Sequence, residues 1–270
     1  MPELPEVETT RRGIEPHIVG QTIRSVLVYE PRLRWPVSEN LSQVLTGNRI
    51  EAVTRRAKYL LFETPTGRMM IHLGMSGSLR IVEKPAPRRK HDHLEWHTDG
   101  GCIMRFHDPR RFGSVFWLPG DENHALLEHL GPEPLSEDFD ADYLFRASRG
   151  RKVPVKTFIM NSQVVVGVGN IYANESLFLA GVRPDRLANS IARARYQTLA
   201  DQIKQVLGQA IQEGGTTLRD FVREDGQPGY FKQRLLVYGR GGEACTKCGR
   251  RLAMSRLGNR ATVFCTRCQR

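Results

Sequence analysis

The residues with the clearest potential for chemistry stand at the start of the chain, where the sequence is MPELPEVE. Pro2 is small enough for Met1 to be removed after synthesis, which would leave a secondary amine at the N-terminus. An α-amino group titrates near ~7.7–8.0, so part of it is unprotonated at neutral pH and can attack an electrophilic carbon to form an iminium. Glu3 would place a carboxyl group beside that amine, where it could donate or accept a proton.

The same residues are also typical of a simple helix start. Pro5 suits the first helical position, and acidic residues in the first turn interact favourably with the helix dipole. The two interpretations are compatible, because a helix beginning near Pro5 would hold the N-terminus in place. The N-terminal pattern therefore predicts a helix and leaves the nucleophile as a hypothesis.

A second group of chemically capable residues lies within the last 26 positions. Two CxxC pairs with sixteen residues between them suit two knuckles joined by a β-hairpin. Four thiolates complete the tetrahedron that zinc prefers and leave no open coordination position, so we expect one structural zinc and no catalytic metal. A redox-active dithiol is the alternative. The four cysteines are Cys245, Cys248, Cys265 and Cys268.

The chain is strongly basic, with a net charge of +11 and a pI near 9.8, which predicts a polyanionic partner. Residues 240–270 carry eight arginines or lysines against one acid, Glu243, so the cysteine-rich segment is expected to contact nucleic acid. A solubilising surface is the alternative. No basic amphipathic helix favours a membrane surface, and the N-terminus lacks a signal-peptide pattern, so we expect a cytoplasmic protein without a membrane partner.

Three clusters in the first half carry cationic or aromatic side chains. Lys58 ends a basic run and could shuttle a proton if partly desolvated, although a solvated lysine is the simpler interpretation. His91 and His93 could be a metal pair, but phosphate contact or packing is favoured. The DPRRFG turn at 108–113 resembles a wedge that enters a base stack. The GMSG turn at 74–77 carries Met75 at its tip, and an ordinary hairpin is the alternative there.

These residues must be positioned by a strand-rich half followed by a helical half. Short strands with turn signals between them predict a sandwich or barrel. Gly131–Ser136 is predicted to be a linker, 170–180 and 191–213 are predicted to be helices, and 214–232 a long loop. The eight predicted strands are 22–29, 49–55, 59–63, 69–73, 78–82, 93–96, 102–107 and 114–118.

Several of these motifs together are specific to one family. The proline start, RRAKYL at 55–60, HLGMSGSLR at 72–80, DPRRFG at 108–113, VVGVGNIYANESLF at 165–178 and the cysteine finger resemble bacterial formamidopyrimidine-DNA glycosylases over essentially the whole chain. The resemblance implies an α+β multidomain fold. Its expected parts are an N-terminal β-sandwich with an N-terminal helix (1–131), a helix–two-turn–helix domain (132–235) and a C-terminal zinc-finger β-hairpin (236–270).

The resemblance also implies roles for individual residues in a glycosylase and abasic-site lyase that acts on damaged double-stranded DNA. Pro2 would form the Schiff base with C1′, and Glu3 would be the proton donor and acceptor. Lys58 would donate a proton in β-elimination and Arg260 in δ-elimination. The DNA-binding residues implied are His91, Arg110, Arg151 and Asn170, with Met75, Arg110 and Phe112 filling the gap left by a flipped base.

Two alternatives remain at this point. The related endonuclease VIII branch, which prefers oxidised pyrimidines, shares the proline start, the helical module and the finger. Leu4, Val7 and the long Thr216–Tyr230 segment favour the formamidopyrimidine branch. A non-catalytic zinc-finger protein that binds DNA is the alternative from a different class. In every case we expect a monomer that needs no organic cofactor.

Overall fold

The computed structural model describes residues 2–82, 87–214 and 235–270. Contacts divide this part of the chain into two compact units. The first contains the residues up to Glu128, and the second contains His129–Glu213 together with the residues from 235 onward. The predicted loop at 214–232 lies, except for Gly214, outside the described residues.

The first unit opens with helix α1, Leu4–Ile18. Glu3 is its N-cap, and the Oε2 atom of Glu6 accepts a hydrogen bond from the backbone N–H of Glu3 at 2.8 Å, as in a capping box. Pro5 lies in the first turn, where its missing N–H leaves no intrahelical bond unmade. The sequence prediction of a helix at the N-terminus is confirmed.

Two four-stranded antiparallel sheets follow and form the sandwich. Their strands are Ile23–Val28 (β1), Ala52–Arg56 (β2), Tyr59–Thr64 (β3), Gly67–His72 (β4), Ser78–Val82 (β5), Asp92–Thr98 (β6), Ile103–His107 (β7) and Ser114–Pro119 (β8). The first sheet has the order β1-β6-β7-β5 and the second the order β2-β3-β4-β8. Inward side chains of both sheets and of α1 form one continuous buried cluster that includes Ile14, Phe62, Ile71, Trp96 and Phe106.

All eight strands were predicted, but one boundary was wrong by three residues. Strand β2 begins at Ala52 and not at Arg49. The residues before it are engaged elsewhere, because Thr22 and Arg49 form an isolated bridge and Ile50 donates its N–H to the carbonyl of Gln21. Two short helices in this unit, Leu41–Leu45 (α2) and Ala125–Glu128 (α3), were not predicted, since so few residues show no helical period.

The second unit is helical. Its long helix, Arg193–Gln212 (α7), buries one face through Tyr196, Leu199, Ile203 and Val206. Three shorter α-helices precede it, Ala141–Ser148 (α4), Val155–Ile159 (α5) and Asn170–Leu179 (α6). Helix α7 packs against α4 and α6, and α6 also contacts the finger strand Arg260–Phe264 (β10). The two helices that the sequence predicted are confirmed, whereas α4 and α5 were missed because they are short.

The C-terminal segment is the expected β-hairpin. Ala253–Leu257 (β9) pairs with β10 in antiparallel register, so the hairpin lies between the two CxxC pairs. The fold class predicted from the sequence, a sandwich followed by a helical module and a finger hairpin, is therefore confirmed. None of the helices in the described part of the chain combines the length and the apolar character needed to cross a membrane.

Candidate functional site

The N-terminal pair Pro2 and Glu3 is buried at the start of α1. Glu3 is only 3% exposed, and its backbone is extended. The capping box between Glu3 and Glu6 fixes the orientation of the residues that lead into α1. Pro2 directly precedes Glu3, whose side chain accepts the backbone N–H of Glu6 in the capping box. Burial at a rigid helix start suits a nucleophile that must approach one carbon atom in one orientation.

Lys58 lies in the two-residue turn between β2 and β3 and is half-buried. Burial first, and then the charges of Lys58 and Arg34, lower the pKa of His72 to about 4. His72 is therefore neutral at pH 7, and its Nδ1 atom accepts the N–H of Gly74 at 3.0 Å. The charges of Lys58 and Arg34 thus both act on His72, and two nearby cations suit an anionic substrate.

The structure brings the two turns with protruding side chains into contact. Asp108, which is fully buried, accepts hydrogen bonds from the Oγ of Ser76 at 2.7 Å and from the N–H of Gly113 at 2.8 Å. One carboxylate therefore joins the Met75 turn to the DPRRFG turn. Phe112 is 41% exposed, and the guanidinium of Arg110 stacks over its ring at 4.9 Å. Asp108 was not singled out from the sequence, although it begins the DPRRFG motif.

Gly74 makes this contact between the turns possible. Its φ is +70°, and a Cβ atom there would lie 2.4 Å from the backbone nitrogen of Gly113 and 2.6 Å from the carbonyl oxygen of Phe112. Only glycine allows both this backbone angle and this approach.

We expect Gly74→Ala to lower the free energy of unfolding by roughly 2 kcal/mol or more, because strain in the left-handed region adds to a backbone clash. Gly120→Ala is the matched control, since Gly120 has a φ of +53° but no atom within 4 Å of the position that a Cβ would occupy. Urea unfolding of both variants measures the difference. Equal losses in the two variants would show that the approach of the turns is not tight.

His91 directly precedes β6, an interior strand of the first sheet, and its ring contacts two other histidines. Its ring centroid is 6.2 Å from that of His93 and 5.9 Å from that of His107, with edge-on geometry. His93 is fixed by the carbonyl of Asp108, and His107 by the carboxylate of Asp92. The histidines therefore pack together, which agrees with the packing alternative for this motif, and His91 is partly exposed at their edge.

In the second unit, Arg151 and Arg260 line the same cavity of about 430 Å³. Its lining also includes Val153, Met160 and Leu257, so the two arginines share the cavity with apolar side chains. Asn170 is the first residue of α6 and follows Gly169, the helix N-cap, so its position is one where backbone N–H groups favour an anion. These three predicted residues thus lie on surfaces that suit phosphate groups.

Two buried charges in this unit were missed from the sequence. The ammonium of Lys156, which is 1% exposed, donates to the carbonyl of Ala261 at 2.8 Å and to the hydroxyl of Thr262 at 2.7 Å, next to Arg260. Glu175 accepts three backbone N–H groups from residues 236–238. Both side chains fix the approach of the finger to the helices, and only the tertiary fold reveals their partners.

The four finger cysteines form a metal-binding cage. All four sulfur atoms lie within 4.8 Å of one another, with Cys245–Cys268 at 3.9 Å and Cys248–Cys265 at 3.5 Å. A tetrahedral zinc with bonds of about 2.3 Å requires sulfur separations of roughly 3.8 Å, so the cage fits. Burial raises the pKa of the Cys265 thiol, but the backbone N–H groups of Cys268 and Arg267 outweigh it and lower the pKa to about 7.

Family models match the chain along most of its length. The N-terminal domain of formamidopyrimidine-DNA glycosylase matches residues 1–115, the H2TH domain of the same proteins matches 130–222, and a zinc finger found in FPG and IleRS matches 242–270. The three models follow the same order as the sandwich, the helical unit and the finger hairpin.

Full-length relatives and solved structures agree with these models. The chain is 60% identical to formamidopyrimidine-DNA glycosylase of Stutzerimonas stutzeri and 57% identical to that of Stenotrophomonas maltophilia, each over 100% of both chains. A Lactococcus lactis FPG variant, solved with DNA that contains Fapy-dG, is 36% identical with a TM-score of 0.93 over 100% of both chains. MutM (FPG) from Thermus thermophilus is 39% identical with a TM-score of 0.89, covering 99% of this chain and 98% of that one. This chain belongs to the formamidopyrimidine-DNA glycosylase family.

Proposed function

We propose that the protein is a bifunctional DNA glycosylase and abasic-site lyase of base excision repair. Its substrates would be oxidised purines, 8-oxoguanine and formamidopyrimidines, in double-stranded DNA. The observation that carries the proposal is the pair Pro2 and Glu3, buried at a capped helix start in a chain whose full-length relatives are formamidopyrimidine-DNA glycosylases.

The reaction begins at the nitrogen of Pro2 after Met1 is removed. This nitrogen attacks C1′ of the damaged nucleotide, so a C1′–N bond forms as the bond from C1′ to the base breaks, and the departing base takes up the proton that the amine loses. Glu3 donates a proton to O4′ as the C1′–O4′ bond breaks, and the nitrogen lone pair completes the iminium. The resulting iminium makes the hydrogen on C2′ acidic. Loss of that proton and of the 3′ phosphate ester is the β-elimination, for which Lys58 supplies a proton. A second elimination, assisted by Arg260, removes a proton from C4′ and the phosphate ester at C5′. Water then hydrolyses the imine, which frees Pro2, releases the sugar fragment and leaves a one-nucleoside gap in the strand.

DNA binding is assigned to two sets of residues. Met75, Arg110 and Phe112 protrude from the joined turns and would fill the space left when the damaged base leaves the stack. His91 and Asn170, which are partly exposed, and Arg151, which is exposed, would bind phosphates. Structural relatives support this partner, since Lactococcus lactis Fpg has been solved with abasic-site DNA.

The metal and the cellular setting complete the proposal. One zinc ion held by the four cysteines shapes the finger hairpin and takes no part in the bond changes, because four thiolates leave no coordination position open. The iminium at Pro2 withdraws electrons from the sugar, so the mechanism uses no organic cofactor. We place the enzyme in the cytoplasm with the chromosome, acting as a monomer.

Oxidised pyrimidines are a second candidate substrate class. Lactococcus lactis FPG, 36% identical to this chain with a TM-score of 0.91, has been solved with DNA that contains an oxidised pyrimidine. The lesion preference is tested by single-turnover excision on three matched duplexes that carry 8-oxoguanine, an oxidised pyrimidine or undamaged guanine at the same position. Faster excision of 8-oxoguanine supports the proposal, and preference for the pyrimidine lesion contradicts it.

We expect Lys58→Ala to slow strand cleavage on 8-oxoguanine DNA by at least ~10-fold, a barrier increase of about 1.4 kcal/mol. Removing the proton donor affects elimination, because departure of the phosphate ester needs a proton. Arg24→Ala, which removes one exposed charge on β1, is the control for the loss of net charge. Cleavage rates are measured by gel electrophoresis under single-turnover conditions. A normal rate for Lys58→Ala at every step would demote this residue to a structural role.

A further inference from the structure

Helix α1 and the turn that carries Lys58 are joined through one guanidinium group. The Nε atom of Arg55, on β2, donates to the Oε2 atom of Glu8, on α1, at 3.1 Å. The Nη1 atom of the same side chain donates to the carbonyl oxygen of Ala57 at 2.8 Å. Arg55 therefore contacts helix α1 through its Nε atom and the turn that carries Lys58 through its Nη1 atom.

This contact is buried and specific. The side chains of Glu8 and Arg55 are only 11% and 12% exposed, so solvent screens their attraction weakly. A guanidinium is rigid and planar, so two of its N–H groups fix the direction of a contact as well as its distance. A lysine ammonium cannot do this. The pair therefore sets the distance between α1 and the turn and also the orientation of the turn.

The turn needs support of this kind. Ala57 has a φ of +56°, in the left-handed region that residues with a side chain seldom adopt. The two-residue turn contains no glycine, so its backbone is held in this conformation by its surroundings and not by preference. A bond to the Ala57 carbonyl fixes the peptide group that leads directly into Lys58.

Neighbouring arginines stabilise the charged form of the Glu8 carboxylate. Burial raises its pKa, but hydrogen bonds from Arg11 and Arg12 and the charge of Arg55 outweigh burial and lower the pKa overall. Arg11 also ties α1 to β2 by a separate contact, since its Nη1 atom donates to the carbonyl of Val53 at 3.1 Å. Both arginines thus join α1 to β2, and of the two only Arg55 also donates to the turn at Ala57.

We propose that Glu8 and Arg55 are positioning residues that place Lys58 relative to Pro2 and Glu3 for the elimination step. The inference rests on the proposed function. Pro2 and Glu3 begin the helix that Glu8 belongs to, and Lys58 follows the carbonyl that Arg55 holds. The pair acts through the backbone and needs no contact with DNA.

The test compares Arg55→Lys and Arg55→Ala with Arg11→Ala on DNA that contains a preformed abasic site. Two quantities are measured for each protein under single-turnover conditions, namely the rate of borohydride-trappable adduct formation and the maximal rate of strand cleavage. The DNA concentration at half-maximal rate is recorded as well. Arg11→Ala is the matched control, because it removes another partner of Glu8 and a contact with β2 without touching the turn.

We expect both Arg55 variants to cleave the strand about 10-fold more slowly, while adduct formation and half-saturation change less than about 2-fold. Lysine keeps the positive charge beside Glu8 but lacks the planar group that bonds Glu8 and the Ala57 carbonyl together. Arg55→Lys should therefore not rescue cleavage. Arg11→Ala should lower the melting temperature and leave the ratio of the two rates unchanged.

If Arg55→Lys left the ratio of strand cleavage to adduct formation unchanged while the wild-type protein was active, the positioning role would be wrong and the proposed function would stand. An equal change of the ratio in Arg11→Ala would also overturn it, because general docking of α1 would then explain the effect. Wild-type protein that forms no adduct and cuts no strand would contradict the proposed function, and the inference would fall with it.

Discussion

Pro2→Gly should lower borohydride trapping on 8-oxoguanine DNA by at least ~100-fold, a loss of about 2.7 kcal/mol in transition-state stabilisation. Glycine replaces the secondary amine by a primary one, whose imine carries a positive charge only when it is protonated. Glycine also frees the backbone at a position that proline fixes beside Glu3. Trapped adduct is measured by denaturing gel, and DNA affinity by fluorescence anisotropy in the same samples.

Affinity should stay within a few-fold of the wild-type value, because binding is assigned to other residues. Pro5→Ala is the matched control: it removes a proline from the first turn of α1 and leaves the N-terminal amine intact. Its trapping should remain close to that of the wild type. Undiminished trapping and cleavage by Pro2→Gly would show that another amine is the nucleophile.

Cys248→Ser should abolish DNA binding at physiological salt, with affinity reduced at least ~100-fold. A serine hydroxyl is a poor zinc ligand, and without the metal the short hairpin of β9 and β10 has little apolar core to keep it folded. Residues 240–270, with eight basic residues against one acid, carry +7 of the chain's net charge of +11, so loss of the finger removes many phosphate contacts. Zinc content and binding isotherms measured on one preparation test this expectation.

Cys102→Ser is the control for the loss of a thiol. Cys102 is partly buried against the sandwich core of the first unit and is not one of the four cage cysteines. This variant should keep its zinc and its affinity. The sandwich of Cys248→Ser should remain folded, as near-ultraviolet circular dichroism of its tryptophans would show. Zinc-free protein that still binds and nicks DNA would contradict the role given to the finger.

Elements with a strong local pattern were predictable from the sequence. The eight strands are short apolar runs separated by turn residues, and α7 shows a clear helical period, so local chemistry and fold agree. The cysteine cage was predictable because its spacing encodes its geometry. Helices α4 and α5 were not predictable, since eight and five residues give too little periodicity to outweigh other patterns.

The residues that support the site could not be predicted from the sequence for a different reason. Asp108, Lys156 and Arg55 act through partners that lie far away in the chain or on another element, such as the bond from Lys156 to Ala261. A buried charge shows its role only when its partner is known, and no local spacing records that partner. Residues expected to meet the substrate were found through motifs, whereas the residues that hold them in place were found through contacts.

The most direct test of the central claim is borohydride trapping of the wild-type protein on two duplexes. One carries 8-oxoguanine opposite cytosine and the other carries an oxidised pyrimidine. We expect a covalent adduct on the first duplex, mapped by mass spectrometry to Pro2 with Met1 absent, and much less adduct on the second. An adduct at a lysine, or tight binding with no adduct on either duplex, would contradict the assignment of Pro2 as the nucleophile.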